Sequence, residues 1–580
     1  MRLRFPIGTS DFAQIRRAGD YYVDKTGLIA DVIRGSSLVS LIPRPRRFGK
    51  TLNLSTLRYY FERPVGPTAR GRPTPEDIRG FFDGLEVATA GEDVAERFMR
   101  HPVVYLTFKD VKFRRWEDCL AMVVALVREE VERLSVVWAG AELAPGQRAT
   151  LEAVAAGTGT PAELAAGLRL LTHALHSATG EECVLLIDEY DTPIHEGWQY
   201  GYYDQVIELF RGILSGTIKD NASLYRGVLT GILRVAKESL FSGLNNVGVY
   251  SLLAHPFSTR FGFTEEEVVA MCAAVGPSAD LQGIRDWYNG YRMGGHVIYN
   301  PWSVLCYLAS PIDGLKPHWV NTASNALLQD LLIRAGLEIQ SDLETLIKGG
   351  EVLHEIGEDI HLRNLHADGA IWSFLLFCGY LKAEDVRHVK GRTFAALSVP
   401  NFEVGAAYAA IYREWLTGAL RTPGGVDGLC RALLTGDERT FGAGLQRLVL
   451  ESLSYFDTGA RTPEAVYQAF LVGLLVQLNH THVVDSNRES GFGRYDVCVK
   501  PRADFEDRAR LGRGGAVLEL KSIDTEAEPP EDTQTALASA MKQIKDREYA
   551  TALHQAGVEV VWLWAVVFDG KRVRAKVERA

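Results

Sequence analysis

The sequence has no apolar run of the length that crosses a membrane, and its opening residues, MRLRFPIGTSDF, lack the apolar stretch of a secretory signal. Its seven cysteines are scattered without a C-x-x-C pair, which argues against a disulfide framework and against a zinc ribbon. A surplus of basic charge is also missing, because the formal net charge is -10. We therefore expect a cytoplasmic protein with no membrane partner, in which local patches make any contact with nucleic acid.

The chain is long enough, and apolar enough, to build several cores. It has 580 residues, of which 47% are hydrophobic. At a typical domain size of roughly 150 residues, this length predicts about three or four domains.

The stretch LVSLIPRPRRFGKTLNLS, residues 38–55, is typical of a phosphate-binding loop. Its first five residues predict a buried strand, a Pro/Arg/Gly loop follows, and the pattern continues as a helix. The loop ends in Gly49-Lys50-Thr51, as in G-x-x-x-x-G-K-[ST], with Arg44 in place of the first glycine. Backbone N–H groups would cradle a triphosphate, Lys50 would reach the outer phosphates, and the Thr51 hydroxyl would hold Mg²⁺. The predicted nucleotide-binding residues are Arg44, Pro45, Arg46, Arg47, Phe48, Gly49, Lys50 and Thr51.

A second stretch places two acids at the end of a predicted strand. Cys183 to Ile187 are apolar, and Asp188 and Glu189 follow directly. In nucleotide hydrolases the first acid of such a pair binds Mg²⁺ and the second polarises the attacking water. A strand that merely ends in solvated acids is the alternative, and the upstream Gly-Lys-Thr favours the nucleotide site.

Other residues around this predicted site are further candidates for nucleotide contact. The strand Leu224 to Leu229 ends at Thr230, which could sense the γ-phosphate. Arg234 could reach a developing negative charge, with a plain surface arginine as the alternative. Tyr22 and Asp24 either lie near a bound base or belong to a segment that packs on the sheet.

From Phe263 to about Asn401 the pattern changes in character. Thr264 followed by three acids predicts a capped helix. The stretch WYNGYRMGGHVIYNPWSV predicts a tight hairpin leading into a helix at Pro301, and its aromatic residues either pack the turn or stack on bases. Alternation over residues 393–399 predicts a hairpin, and helices followed by such a hairpin suit a winged-helix module.

The C-terminal region carries a second set of acids. A helix predicted over residues 463–478 is followed by two strands joined at 491–493, with Asp496 in the second, and then by a strand that contains Glu519 and Lys521. These last two side chains share a strand face, because alternate residues of a strand point the same way. Carboxylates on neighbouring strands could bind Mg²⁺ or Mn²⁺, with the lysine orienting the attacking water. A solvated strand face is the alternative; the order helix, three strands, helix, strand favours the site.

Both sets of residues resemble those of one family. The matching stretches are PIGTSDF, YYVDKT, RPRRFGKTLNLS, LLIDEYDTP, LTGILRVAKESLFSGLNN, WYNGYR, YNPWSV, ESGFGRYD, LELKS and QIKDREY. They make the chain similar to the bacterial and archaeal family with an AAA-ATPase-like N-terminal domain and a C-terminal domain of the PD-(D/E)XK nuclease superfamily. The replacement at Arg44 belongs to this family's RPRRFGKT version of the loop.

The resemblance implies ATP as the nucleotide and a role for each of the residues above. Lys50 and Thr51 would contact phosphate and Mg²⁺, and Asp188 and Glu189 would be the Walker B acids. The implied nuclease residues are Asp496, Glu519 and Lys521, supported by Gln543, with a further metal-binding acid at Glu489 or, as a second choice, Glu464.

The expected fold class is α/β and multidomain. Residues 1–262 would form a P-loop NTPase domain, AAA-like, with helices on both faces of a parallel sheet. Residues 263–440 would form a helical and winged-helix-like region, and residues 441–580 a restriction-endonuclease-like α/β domain.

The leading hypothesis is an ATP-driven, metal-dependent nuclease that acts on DNA or RNA. ATP turnover would gate the C-terminal site, with assembly into a homo-oligomer as one route. A signalling ATPase whose C-terminal domain binds nucleic acid without cutting it is the alternative. A scaffold with two decayed sites is disfavoured, because both sets of acids and lysines are intact.

Overall fold

The computed structural model of the protein describes residues 3–64, 73–235, 246–319, 349–360, 369–408, 425–452, 481–486, 489–490, 493–502, 514–523, 532–569 and 572–580, and the positions 339, 342, 343, 345, 346, 362, 365, 471, 474, 475 and 478. The chain divides into two units. The N-terminal unit comprises Met1–Ser324 and Glu351–Val404, and the C-terminal unit comprises Asn325–Gly350 and Gly405–Ala580.

A parallel sheet of five strands forms the centre of the N-terminal unit. Its strands are β1 (Val39–Pro43), β2 (Val103–Thr107), β3 (Cys183–Asp188), β4 (Leu224–Gly231) and β5 (Val247–Val249). Their order is β2-β3-β4-β1-β5, and every neighbouring pair is parallel. The carboxyl ends therefore meet at one edge, where the residues after β1, β3 and β4 come together. The strands predicted to begin at residues 38, 103, 183 and 224 are confirmed.

Helices surround this sheet. They are α1 (Phe12–Ala18), α2 (Gly27–Arg34), α3 (Lys50–Phe61), α4 (Pro75–Phe82), α5 (Glu92–Ala95), α6 (Trp116–Arg133), α7 (Ser135–Trp138), α8 (Pro145–Ala156), α9 (Pro161–Thr179), α10 (Thr192–Tyr200) and α11 (Tyr203–Ile218), with a 3₁₀ turn at Glu86–Thr89. The first strand, β1, is buried at all five positions, as is typical of a parallel strand covered on both faces.

The middle of the chain contributes short helices and two small antiparallel sheets. The elements are α12 (Glu265–Val275), α13 (Leu281–Tyr288), β6 (Tyr291–Met293), β7 (His296–Ile298), α14 (Pro301–Ala309), a 3₁₀ turn (Pro311–Asp313), β8 (Val352–Glu355), α15 (Ala370–Phe377), β9 (Lys382–Val389) and β10 (Arg392–Ser398). The predicted helix cap at Thr264 is confirmed, because its side chain and Glu267 form a capping box. The tight hairpin β6–β7 and the helix at Pro301 are also confirmed. The strands β8, β10 and β9 form one sheet, and the winged-helix module stays a prediction.

The two units divide the predicted middle domain differently from the boundaries at 262 and 440. The stretch up to Val404 belongs to the N-terminal unit. There Glu403 accepts hydrogen bonds from Ser303 and from the backbone of Trp319, which ties it to residues earlier in that unit. The helix α16 (Gly425–Thr435) belongs instead to the C-terminal unit, where the carbonyl of Leu433 accepts a hydrogen bond from the indole of Trp564.

The C-terminal unit is a mixed sheet with a helical layer on each face. Besides α16, its elements are α17 (Glu438–Ser452), β11 (His482–Ser486), β12 (Glu489–Ser490), β13 (Gly493–Arg494), β14 (Val497–Pro501), β15 (Gly514–Ser522), α18 (Thr533–Asp546), α19 (Thr551–Gln555), β16 (Val560–Asp569) and β17 (Arg572–Arg579). The sheet order is β11-β14-β15-β16-β17, and only β15 and β16 are parallel. That parallel pair is joined through α18, as a crossover requires. Most of the helix predicted over 463–478 lies outside the described residues. No helix in the described part of the chain is both long and apolar enough to cross a bilayer.

Candidate active sites in the two units

The phosphate loop connects β1 to α3 with two backbone conformations that favour glycine. Gly49 has a φ of 81° and precedes the first residue of α3. Arg47 has a φ of 67°, which a non-glycine residue rarely adopts. The loop therefore turns tightly enough to bring the start of a twelve-residue helix to the edge of the sheet. Unsatisfied N–H groups at such a helix start attract anions.

Lys50 and Thr51 are both held at this helix start. Lys50 is 4% exposed, and its ammonium donates to the carbonyls of Arg44 and Pro45, each at 3.1 Å. The Thr51 hydroxyl donates to Asp188 Oδ2 at 2.7 Å, and Thr230 donates to the other carboxylate oxygen at 2.8 Å. Strand β4 lies between β1, which leads into the phosphate loop, and β3, which ends in the acids. Thr230 of β4 therefore stands between the loop and the acids.

The Asp188 carboxylate is fully buried. Burial raises its pKa, while the hydrogen bonds from Thr51 and Thr230 and the charge of Lys50 act in the opposite direction. A hydroxyl and a carboxylate side by side are oxygen ligands of the kind that Mg²⁺ prefers. The side chains present at this edge of the sheet therefore fit that ion.

A cavity of about 450 Å³ opens at this edge. Its walls include six residues of the phosphate loop and helix start, and Glu189, which has a φ of 49°. The loop residues that line it are Arg46, Arg47, Phe48, Gly49, Lys50 and Thr51. Glu189 also accepts a hydrogen bond from the Thr192 hydroxyl at 3.2 Å. The loop and the second acid thus face one space of the size that binds a small molecule.

The rest of the cavity wall comes from distant parts of the sequence. One part is the N-terminal stretch that contains Gly8 and Tyr22, and another is the start of α14 with Trp302. Tyr22 was one of the two residues predicted either near a base or in packing. The other, Asp24, accepts from the Thr26 backbone and hydroxyl and from the Glu86 backbone, so it organises the start of α2. Sequence reasoning missed Lys109 and Lys112 at the cavity, because the loop after β2 carries no motif.

Arg44 was predicted among the nucleotide-binding residues of the loop, but its side chain points into the fold. It is 0% exposed, and its guanidinium donates to the carbonyls of Pro43, Tyr250 and Phe257 at 2.8, 2.7 and 3.3 Å. It also lies over the ring of Phe261, 5.2 Å from its centre. Its side chain therefore supports the loop from inside the fold and is not among those that line the cavity.

Arg234 is also placed elsewhere than expected. Its guanidinium pairs with Asp359 at 2.8 Å, and its carbonyl accepts from the Ile360 backbone. It does not line the cavity. Arg234 therefore holds the segment after β4 against residues 359–360. No local sequence pattern could have indicated this pairing.

In the C-terminal unit, the residues predicted around E-x-K do come together. The register pairs Val497 with Leu518 in antiparallel strands, so Asp496 is the next residue opposite Glu519. Asp496 directly precedes β14, one residue outside the strand in which it was predicted. Its carboxylate accepts from the Leu520 backbone at 2.7 Å.

Glu519 is not part of a solvated strand face. It is 2% exposed, and the Lys521 ammonium lies 3.4 Å from its Oε1. Gln543, which reaches the same oxygen from α18, donates a hydrogen bond to it and lies 3.4 Å from the Tyr549 hydroxyl. The two leucines beside Glu519 in β15 face the opposite layer, with α16 and α17, as strand alternation requires.

Burial also affects the second acid of this group. It raises the pKa of Asp496, and the Lys521 charge opposes that rise. The two carboxylates are oxygen ligands of the kind that Mg²⁺ or Mn²⁺ prefers, and the lysine beside them is placed to act on a bound water rather than on the ion. Among the residues that the structure describes, no three His, Cys, Asp or Glu side chains are grouped to hold a metal. The Glu489 side chain and all of Glu464, the two proposed additional acids, lie outside the described residues.

Comparison with known proteins finds a matching family model in each of the two units. Residues 6–241 match the family model described as Predicted AAA-ATPase, and residues 462–578 match the model of the PD-(D/E)XK nuclease superfamily. A protein of Azotobacter chroococcum mcd 1, described as "Uncharacterized protein in vnfD 5'region", is 30% identical over 413 residues, or 70% of this chain and 69% of the relative. The chain therefore belongs to the family of AAA-ATPase-like proteins with a C-terminal PD-(D/E)XK nuclease superfamily domain.

Proposed function

We propose that this protein is an Mg²⁺-dependent ATPase coupled to a metal-dependent nuclease that cleaves phosphodiester bonds of DNA or RNA. The family places an ATPase-like and a nuclease-superfamily domain on one chain. Beyond these two domains, we propose ATP hydrolysis and phosphodiester cleavage as the activities, ATP and a divalent metal ion as the cofactors, and DNA or RNA as the substrate.

The ATPase half is supported above all by the hydrogen bond between Thr51 and Asp188. These residues lie 137 positions apart, yet their oxygens meet beside the Lys50 ammonium. Mg²⁺ held there would neutralise phosphate charge. The loop backbone would bind the phosphates, Lys50 would exchange its two carbonyl partners for phosphate oxygens, and Glu189 would polarise the attacking water.

The nuclease half is supported above all by the burial of Glu519. An ordinary E-x-K on a strand would be solvated, whereas this carboxylate is covered by α18 and contacted by Gln543 and Lys521. Burying a carboxylate is unfavourable unless it is paired, so the arrangement favours a functional role. A divalent cation bound by Asp496 and Glu519 would activate water and stabilise the displaced phosphate. Lys521 would orient that water or take its proton, and Gln543 would keep Glu519 in place.

A cleavage assay on single- and double-stranded DNA and RNA, with Mg²⁺ or Mn²⁺ and with or without ATP, tests both halves. Glu519→Ala is expected to lower cleavage on the order of 100-fold or more, because it removes a metal ligand at the reacting phosphate. Asp546→Ala, which changes an exposed acid at the end of α18, is the matched control.

ATP turnover is measured in the same preparations. Lys50→Ala is expected to abolish it, whereas Lys219→Ala, at an exposed lysine of the same unit, is expected to retain it. Clear ATP turnover without cleavage of any substrate would contradict the nuclease half and support the alternative of a regulatory ATPase. ATP turnover unchanged in Lys50→Ala would contradict the ATPase half.

A further inference from the structure

Two consecutive arginines of the phosphate loop are each contacted by a tryptophan from the middle of the chain. The guanidinium of Arg47 lies over the ring of Trp302, 4.3 Å from its centre. The carbonyl of Arg46 accepts a hydrogen bond from the indole N–H of Trp319 at 3.1 Å. Trp302 belongs to the aromatic stretch predicted either to pack a turn or to stack on bases, and the sequence assigned no role to Trp319.

One buried carboxylate holds both of these tryptophan segments. Glu403 is 0% exposed and accepts from the Ser303 hydroxyl at 2.8 and 3.0 Å, next in sequence to Trp302. The same carboxylate accepts from the backbone N–H groups of His318 and Trp319, each at 2.6 Å. Glu403 therefore joins the start of α14 to the segment that reaches Arg46.

The loop conformation requires support of this kind. Arg47 has a positive φ, a strained conformation for a non-glycine residue that persists only where the surroundings impose it. Other contacts of the loop add to this support: Phe48 is fully buried with its ring 5.0 Å from that of Tyr291, and Gly379 lies close to the Pro45 ring.

We propose that Glu403 is a positioning residue of the nucleotide site, which acts through Trp302 and Trp319 to hold the Arg46–Arg47 backbone in the shape that receives phosphates. The inference rests on the proposed ATP binding. It adds a group remote from the motifs, one that pre-organises the loop before the nucleotide arrives. The backbone of Arg46 and Arg47 would contact phosphate equally in the ground and transition states, so its misplacement would weaken binding more than chemistry.

The test compares nucleotide affinity and steady-state kinetics in the full-length chain. Trp319→Phe keeps an aromatic ring but removes the indole N–H that reaches Arg46, together with part of the buried ring volume. Its matched control is Trp138→Phe, because Trp138 is also buried in the N-terminal unit and donates its indole N–H to a carbonyl, that of Val131, at 2.8 Å. We expect Trp319→Phe to weaken binding of a fluorescent ATP analogue about three- to tenfold, the effect of one hydrogen bond.

The kinetic constants distinguish positioning from a general loss of structure. KM for ATP should rise in Trp319→Phe while kcat stays within about twofold, and Trp138→Phe should leave KM unchanged. Glu403→Gln keeps one oxygen that can accept from the backbones of His318 and Trp319 and gains an NH2 group that can donate to the Ser303 hydroxyl, so it is expected to bind ATP as the wild type does. Glu403→Leu retains no acceptor and is expected to bind at least as weakly as Trp319→Phe.

Two results would overturn the inference, and they are distinguishable. Equal affinity in the wild type, Trp319→Phe and Trp138→Phe, with Lys50→Ala defective, would show that nucleotide binds but that the Trp319 contact does not position the loop. Absence of binding in the wild type itself would remove the proposed ATP site, and this inference with it.

Discussion

Replacing Glu403 with glutamine is expected to stabilise the N-terminal unit at pH 8 and to change its stability little at pH 5. Burial raises the pKa of this carboxyl from 4.5 to about 7, although its hydrogen bonds from Trp319, Ser303 and His318 act in the opposite direction. The carboxyl therefore binds its proton more tightly in the folded protein than in the unfolded chain.

The sign follows from proton linkage. Between about pH 4.5 and pH 7 the folded state holds more protons than the unfolded state, so the free energy of unfolding falls as the pH rises through this window. The contribution present below pH 4.5 is lost above pH 7, and it amounts to about 3 kcal/mol at 1.36 kcal/mol per pH unit. The amide introduced by Glu403→Gln does not titrate, so this variant resembles the protonated wild type at every pH.

Among the residues that the structure describes, no lysine or arginine forms an ion pair with Glu403 to offset this cost at neutral pH. The Glu403 charge acts on Tyr288, Tyr291 and Cys306, whose pKa values burial raises, and the carboxylate accepts from the backbone N–H of His318, whose ring pKa burial lowers. All four are uncharged near pH 7, so none of them stabilises the ionised carboxylate as a cation would.

The assay is unfolding of the full chain in denaturant at pH 5 and pH 8, with wild type, Glu403→Gln and the control Glu351→Gln compared at each pH. Glu351 is an exposed acid of the same unit. Taking the difference between variant and wild type cancels the titration of all other groups. A stabilisation by Glu403→Gln that is the same at both pH values, or that is larger at pH 5, would refute the reasoning.

Three further predictions concern the two sites. Thr51→Val should remove the part of ATP affinity that depends on Mg²⁺ while Thr51→Ser retains it, because only a hydroxyl can join Asp188 in binding the ion. Dissociation constants for ATP measured with Mg²⁺ and with EDTA check this. A valine variant that still binds ATP more tightly with Mg²⁺ would contradict it. Asp191→Ala should destabilise the N-terminal unit by about 2–5 kcal/mol, because two buried backbone N–H groups after β4 lose their acceptor, and a change below 1 kcal/mol in denaturant unfolding would argue against this role. Gln543→Leu should lower cleavage about 10- to 100-fold, because Glu519 loses the side chain that orients it, and an unchanged rate with the metal at saturation would show that Lys521 alone suffices.

Several features of this protein were determined locally by the sequence. The phosphate loop follows an apolar strand and opens a helix at Lys50, because the glycine before it can adopt a positive φ. Thr264 begins a helix because its side chain and that of Glu267 bond to each other's backbone N–H groups. The strand around Glu519 follows from an apolar run whose alternate residues face opposite layers. Each of these depends on residues within a few positions of one another.

Tertiary structure decided which of the candidate groups belong to a site. Arg44 and Lys50 are both basic residues of one loop. The Arg44 guanidinium donates to carbonyls inside the fold, whereas the Lys50 side chain lines the cavity. Arg234 is paired with Asp359, more than 100 positions away, and no local pattern could indicate that partner. The role of Glu403 likewise depends on residues about 85 to 100 positions earlier.

The physical reason is the range of the interactions involved. Caps, turns and strand alternation are set by the backbone geometry of neighbouring residues, so the sequence alone determined the elements and the two sets of catalytic candidates. Burial, pairing and the fate of a charged side chain depend on which surfaces meet when the sheet forms. From the sequence alone, the same residue types could be metal ligands, members of ion pairs or structural supports. The meeting of the carboxyl ends of β1, β3 and β4 at one edge, and the covering of Glu519 by α18, decide which of these roles each residue has.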